Sequence, residues 1–310
     1  MMNFNNAVQV IGVDHGFGNM KTTNFCFPSN VIENDGDPLF DSNVLEYNGK
    51  SYTVGDGHME YNHSKVTNEN YYILTLAAVA MELDDGGKHE GKIFLGAGVP
   101  LSWLGNQKEA FRQYLIHEHK VHFTWNHEPY DIEIVGAALF PQGVAAIMDE
   151  MSSYHGTHVM CDIGNGTMNI MFSHNGQPSL KECYTDMFGV HQCMIKCREA
   201  LTQKFGDTLP DSVIDEVLRN KGADIGQEYI EVITTVARDY VKEIQRHLRE
   251  YHYNEATMHL DVLGGGACLF ENFGEYDKGR VSITKSICET ARGYEKLAYS
   301  LLESGRVVVA

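Results

Sequence analysis

Two short stretches carry residue types that could hold a phosphate. The first, Asp14-His-Gly-Phe-Gly-Asn-Met-Lys21, closes the apolar run Val8–Val13. The second, Asp162-Ile-Gly-Asn-Gly-Thr-Met168, closes the run His158–Cys161. Glycines in a tight turn accept positive φ and let backbone N–H groups come close to an anion. An Asp at the head of each turn suits Mg²⁺, which keeps several waters and takes few protein ligands. Lys21 can add a point charge toward phosphate oxygens.

Neither turn is a familiar nucleotide loop. A Walker A loop has Gly directly before its Lys, where this chain has Met20. The dinucleotide fingerprint has a third Gly three residues after the second, where Lys21 stands. A lone D-x-G-x-G also describes hairpins that hold no ligand. The repetition changes this. Asp14 and Asp162, Gly16 and Gly164, Gly18 and Gly166, and Met20 and Met168 all share one offset. Two hairpins in register point to a duplicated unit whose copies face a common ligand. A third glycine cluster, Gly264-Gly265-Gly266, follows the apolar strand His259–Leu263, where a flat ring or a phosphate could approach the backbone.

The elements around these turns alternate between strands and helices, which predicts an α/β fold. Hairpin strands come first, then a polar, glycine-bearing insertion over about 29–91 that includes a helix at Tyr71–Leu83. Strands are expected at Lys92–Val99 and Val121–Leu139, the latter broken by a turn at Asn126–Pro129, then a helix at Pro141–Glu150. Past the second hairpin, helices are expected at Val190–Phe205, Asp211–Arg219 and Gln227–Tyr251. The last carries Ile230, Ile233, Val236, Tyr240, Ile244 and Leu248 on one stripe at spacings of three and four, the pattern of a core-facing helix. A final helix, Thr290–Glu303, would cross back to the first half, with Gly293 permitting close packing.

The order D-x-G-x-G-x-x-K (Asp14–Lys21), F-P-Q-G (Phe140–Gly143), D-x-G-x-G-T (Asp162–Thr167), L-G-G-G-A (Leu263–Ala267) and A-R-G-Y (Ala291–Tyr294) resembles the actin-like ATPase superfamily. It is most similar to the bacterial plasmid-segregation actins, the ParM/StbA-like branch. Leu45–Gly55 also resembles the small insertion hairpin of that branch. The resemblance implies a duplicated actin-like, ribonuclease-H-like fold with two domains around a nucleotide cleft. The domains would be 1–155 and 156–289, with 290–310 returning to the first. It implies ATP and Mg²⁺ as cofactors, with GTP not distinguished because the base contacts are not legible. The first turn (Asp14, Gly16, Phe17, Gly18, Asn19, Lys21) would bind the β- and γ-phosphates. The second (Asp162, Gly164, Asn165, Gly166, Thr167) would stand by the metal and the attacking water. Gln142 would orient that water, and Gly264, Gly265 and Gly266 would lie against the adenosine. Asp14 and Asp162 would meet Mg²⁺ through water. One departure is Asn169, where family members often carry a second Asp.

Composition bounds the function. At 310 residues and 43% hydrophobic, the chain can bury two domain cores. Its net charge of −18 argues against a broad direct contact with nucleic acid, which requires a basic footprint. A link to plasmid DNA would therefore run through a DNA-binding adaptor protein. Without an apolar run of membrane length or an apolar signal core, the chain is expected to be soluble, cytoplasmic and free of membrane contact. Seven cysteines without a C-x-x-C pair suit reduced thiols, Cys193 and Cys197 reading as small core residues. His117, His119, His122 and His127 match no metal-ligand template and read as structural or surface residues. His15 is expected to point outward.

The leading function is an ATP hydrolase coupled to polymerisation into a homopolymer filament. A rival on the same fold is a small-molecule kinase transferring the ATP γ-phosphate, which would need a substrate carboxylate as base; no motif flags one. A chaperone-type ATPase would need a peptide-binding domain beyond residue 310.

Overall fold

The computed structural model describes residues 1–5, 7–35, 42–56, 69–99, 107–151, 153–284 and 286–307, with backbone alone at 144, 149 and 150. The chain divides into two compact units, Met1–Met148 with Cys288–Ala310, and Asp149–Ile287. Part of the expected 29–91 insertion lies outside the described residues.

The first unit opens with β1 (Met2–Phe4), β2 (Val8–His15), β3 (Asn19–Lys21), β4 (Cys26–Pro28) and β5 (Val31–Asn34). A hairpin of β6 (Val44–Tyr47) and β7 (Lys50–Val54) follows, then α1 (Asn70–Asp85) and β8 (Glu90–Val99). Next come α2 (Lys108–Leu115), β9 (Lys120–Trp125), β10 (Glu128–Pro141) and α3 (Val144–Met151). The second unit runs β11 (Thr157–Ile163), β12 (Met168–His174), β13 (Gln177–Asp186), α4 (Val190–Phe205), α5 (Asp211–Asn220) and α6 (Gln227–Glu250). It ends with β14 (His259–Leu263), α7 (Ala267–Phe273) and β15 (Val281–Ile283), before α8 (Glu289–Glu303) completes the first unit.

Among the described residues the sheets share one plan. The first contains the order β4-β3-β2-β8-β10, extended by β9-β6-β7-β5, and the second is β13-β12-β11-β14-β15. In each, an antiparallel meander of three strands (β2 to β4, β11 to β13) joins two further strands that run parallel to its first. Parallel neighbours need crossover connections, which α1 and the α4–α6 segment supply. The duplication visible in the glycine turns thus extends to strand order and sense.

Burial follows from sequence alternation. In β2, Ile11 and Val13 join the core beneath α1 and α2, while Val8 and Val10 face the cluster under α8. Helix α1 lies within the main core of its unit, with twelve of its residues buried, so the expected insertion helix is a central element. The hairpin at Leu45–Gly55 forms as expected. Its Asn48-Gly49 turn has φ of 52° and 75°, the positive pair that a two-residue hairpin requires. The stripe on α6 is core-facing, with Ile233, Tyr240, Ile244 and Leu248 all at most 1% exposed.

Helix α8 sits directly on β2 and β8. A Cβ at Gly12 would overlap the carbonyl oxygen of Ala291, and one at Gly96 would lie 2.5 Å from that of Tyr294. Gly293 abuts the carbonyl of Ala145 in the same way, which is the close packing expected of it. Because the obstacle at Gly12 is helix backbone, it cannot move aside by a rotamer change. Gly12→Ala should therefore destabilise the protein by about 1–3 kcal/mol. A urea midpoint equal to wild type would show that α8 does not pack this tightly.

The helix expected at Pro141–Glu150 starts later. Pro141 ends β10, and Gln142 and Gly143 form a turn in which Gly143 adopts φ 82°. The Gln142 N–H donates to the Val99 carbonyl (2.9 Å), extending the β8–β10 ladder by one step and holding Gln142 off the helix.

Candidate functional site

The first turn is assembled by strand register. Asp14 and Lys21 are cross-strand partners in the β2–β3 pair, so their side chains meet, with Lys21 Nζ 3.1 Å from Asp14 Oδ2. Both are largely buried, their side chains 5% and 15% exposed for Asp14 and Lys21. Gln142 reaches the same carboxylate, its amide donating to Asp14 Oδ1 at 3.3 Å. The carboxylate thus gathers a cation and an amide beside the glycine turn. The turn itself is pinned from β4's end: Ser29 Oγ donates to the Gly16 carbonyl (2.7 Å) and Ser29 N–H to the Gly18 carbonyl (3.0 Å).

His15 does not point outward. It continues the inward-facing register of Ile11 and Val13, and its ring is 1% exposed. Thr75 Oγ1 donates to the Tyr71 carbonyl (2.6 Å), so at His15 it accepts from Nε2–H (2.9 Å). The Phe111 ring meets His15 edge-on at 5.2 Å. His15 therefore ties the turn to α1 and α2.

The second turn is held differently. Its Gly164 and Asn165 carbonyls accept the N–H groups of Val190 (3.0 Å) and His191 (2.9 Å), which open α4. Those first-turn N–H groups have no partner inside their own helix, so the glycine turn caps the helix while the helix orients the turn. Gly189, the N-cap, has no room for a Cβ against Asn165, and its N–H donates to Gln192 Oε1 (2.9 Å). Tyr240 of α6 donates its hydroxyl to the Gly189 carbonyl at 2.7 Å. Burial pushes the Tyr240 hydroxyl well above its ordinary pKa, keeping it a donor.

Asp162, 7% exposed, lies across the ladder from Asn169 and beside Leu263 of β14. Gly264, at φ 85°, packs so closely on the Asp162 carboxylate that a Cβ would overlap it. The Gly266 N–H donates to the Ile163 carbonyl (2.8 Å), and Gly266 is the N-cap of α7, a helix absent from the sequence reading. Asp162, Gly164–Thr167 and Gly264–Gly266 therefore share one corner of the second unit. Asn169 is buried and accepts a hydrogen bond from Thr185 (2.9 Å), a structural use of the amide.

Among the described residues, no three His, Cys, Asp or Glu side chains form a group able to hold a metal ion. His117 contacts the Tyr114 carbonyl (2.7 Å), His119 the Ile134 carbonyl (3.2 Å), and His122 lies 3.4 Å from Asp131. Cys193 and Cys197 are fully buried, and their mutual hydrogen bond, with burial, pushes the Cys193 thiol up. No described helix is long and apolar enough to cross a membrane. The sequence reading missed Ser29 and Gly189, and placed Tyr240 on the core stripe without its bond to Gly189. Ser29 follows Pro28 with no spacing signal, although Gly189 opens an evident helix.

Comparison with known proteins finds actin-like models matching both halves of the chain. Residues 12–144 match the model of the actin-like protein N-terminal domain, and 160–275 that of the archaeal actin homologue MreB-like C-terminal domain. No curated protein matches the sequence. An archaeal actin homologue solved as a complex with ADP superposes with a TM-score of 0.72 at 19% identity, covering 94% of this chain and 99% of that one. The apo psk41 ParM protein gives 0.74 at 17% identity, covering 97% and 99%. A ParM from Clostridium botulinum, solved as a 15-stranded filament, gives 0.74 at 17% identity, covering 95% and 99%. At such identities the superpositions speak for the fold, and they agree with the two family models. The chain belongs to the actin-like superfamily, and its fold is shared with archaeal actin homologues and ParM proteins.

Proposed function

We propose that this protein is an ATP hydrolase whose nucleotide state governs its assembly into homopolymeric filaments, and that these move plasmid DNA through a basic adaptor protein. The observation that carries the reading is the meeting of Asp14, Lys21 and Gln142 at a glycine turn. A hydrolase needs just such a set: a carboxylate by the metal, a cation for phosphate, and a neutral amide to place water. Each turn offers one carboxylate, which suits Mg²⁺ held largely by phosphate oxygens and waters. Bound Mg²⁺ would neutralise charge developing on the phosphates. Gly16–Lys21 and Gly164–Thr167 would supply N–H donors, Gln142 would orient the attacking water, and Asp162 would stand beside it. Gly264–Gly266 would let the nucleoside approach the backbone. The ADP complex of an archaeal homologue and the filament of a clostridial ParM support nucleotide binding and self-assembly here.

Assembly follows if the assembled state binds ATP better than ADP, because a ligand shifts an equilibrium only by its differential affinity. Light scattering and pelleting after addition of ATP–Mg²⁺, with phosphate release in parallel, should show assembly followed by disassembly as ATP is consumed. Absence of a pellet with ATP and with a non-hydrolysable analogue, across protein and salt concentrations, would sink the filament reading. The same samples should show no tight, salt-sensitive binding to duplex DNA, given the −18 net charge.

A further inference from the structure

The two glycine turns are pinned by the same device but with different donors. In a trans peptide the C=O of one residue and the N–H of the next point in opposite directions. Anchoring a carbonyl therefore aims the following N–H. In the second turn the anchored carbonyls are Gly164 and Asn165, so the directions of the Asn165 and Gly166 N–H groups are set by Val190 and His191. These donors are helix backbone, which no side-chain change removes. In the first turn the anchored carbonyls are Gly16 and Gly18, and both bonds come from Ser29. One of them, Oγ to Gly16, depends on a single hydroxyl.

Ser29 is wholly buried, and both of its donors are directed at this turn. It lies one residue past β4, whose pairing with β3 (Asn19 opposite Pro28) delivers it to the glycines. A buried hydroxyl that served only stability would be satisfied by any nearby acceptor. Here it takes the carbonyl that sets the direction of the Phe17 N–H, while the backbone bond to Gly18 sets that of Asn19.

We infer that Ser29 is a positioning residue for phosphate: its hydroxyl aims the Phe17 N–H at the phosphate chain of the nucleotide without itself touching the ligand. This rests on the reading that the first turn binds phosphate. Ser29 is in turn the weak point of the pair of turns, since helix backbone holds the matching carbonyls of the second turn.

The test compares ligands with and without phosphates on wild type and Ser29→Ala, by calorimetric titration of ATP–Mg²⁺ and of adenosine. Loss of one hydrogen bond should weaken ATP binding about tenfold and leave adenosine binding unchanged. Equal ATP affinity in the variant overturns the proposal. Equal losses for ATP and adenosine also overturn it, and assign Ser29 a purely structural role. Should wild type itself fail to bind ATP, the nucleotide reading falls, and the positioning role falls with it. Hydrogen exchange on the wild-type protein gives a readout independent of the variant's folding. The Phe17 amide should slow with ATP–Mg²⁺ and not with adenosine, and an unchanged Phe17 amide overturns the proposal.

Discussion

Gln142→Ala is expected to slow ATP hydrolysis by about ten- to a thousandfold, the size of a few kcal/mol of lost water positioning, while leaving nucleotide binding and assembly nearly intact. A glutamine amide cannot act as a base at neutral pH, so the contribution proposed for Gln142 is confined to orienting the attacking water. The structure places that amide on the Asp14 carboxylate at 3.3 Å and fixes its backbone to Val99. Truncation to Ala removes the amide but leaves the backbone bond, so the turn that leads into α3 should survive. The expected signature is filaments that persist in ATP long after wild-type filaments have gone. Hydrolysis at the wild-type rate would show the assignment to be wrong, and Asp149 and Glu150, whose side chains lie outside the described residues, would be examined next.

Asp162→Ala should reduce hydrolysis by about a hundredfold or more, the size of effect seen when one electrostatic group beside the reacting atoms is lost. Unlike the Gln142 change, it should also weaken the Mg²⁺ dependence of nucleotide binding. Asp162 is buried against Gly264, so its removal also alters packing in that corner. The near-isosteric Asp162→Asn separates the two effects by retaining volume while removing charge. Titrating Mg²⁺ at fixed ATP for wild type and both variants decides the matter. If Asp162→Asn keeps the wild-type Mg²⁺ response, the carboxylate has no part in the metal's surroundings.

The proposed roles of Gln142 and Asp162 differ in how the fold could deliver them. Asp162 lies next to the end of an apolar strand that leads into a glycine turn, a local pattern that strand alternation and turn chemistry make readable. Gln142 is 128 residues from Asp14 in sequence, and no local rule joins them. They meet because β8 lies between β2 and β10 with all three strands parallel. That brings the ends of β2 and β10 to the same edge of the sheet.

Much of the fold was legible because its signals are local. The α/β alternation, the helices at Val190–Phe205 and Gln227–Glu250, and the stripe on the latter follow from hydrophobic periodicity. The hairpin at Leu45–Gly55 was expected from the resemblance, and the structure gives its local reason: Asn48 and Gly49 both take positive φ. The equal spacing of the two glycine turns announced a duplication, and strand order bears it out. Tertiary structure decided what periodicity leaves open. Helix α1 is apolar on nearly every side, and only packing shows it to be a central element instead of part of an insertion. His15 turned inward because strand alternation puts it on the core side and the Thr75 hydroxyl accepts its ring N–H, and His by type is intermediate in burial. Ser29 acquired its place through the β3–β4 pairing, which sets a buried hydroxyl on a glycine carbonyl thirteen residues earlier in the chain. Residue type and spacing name the groups that can do chemistry. Which of them meet is set by strand order and by the side of the sheet on which each residue falls.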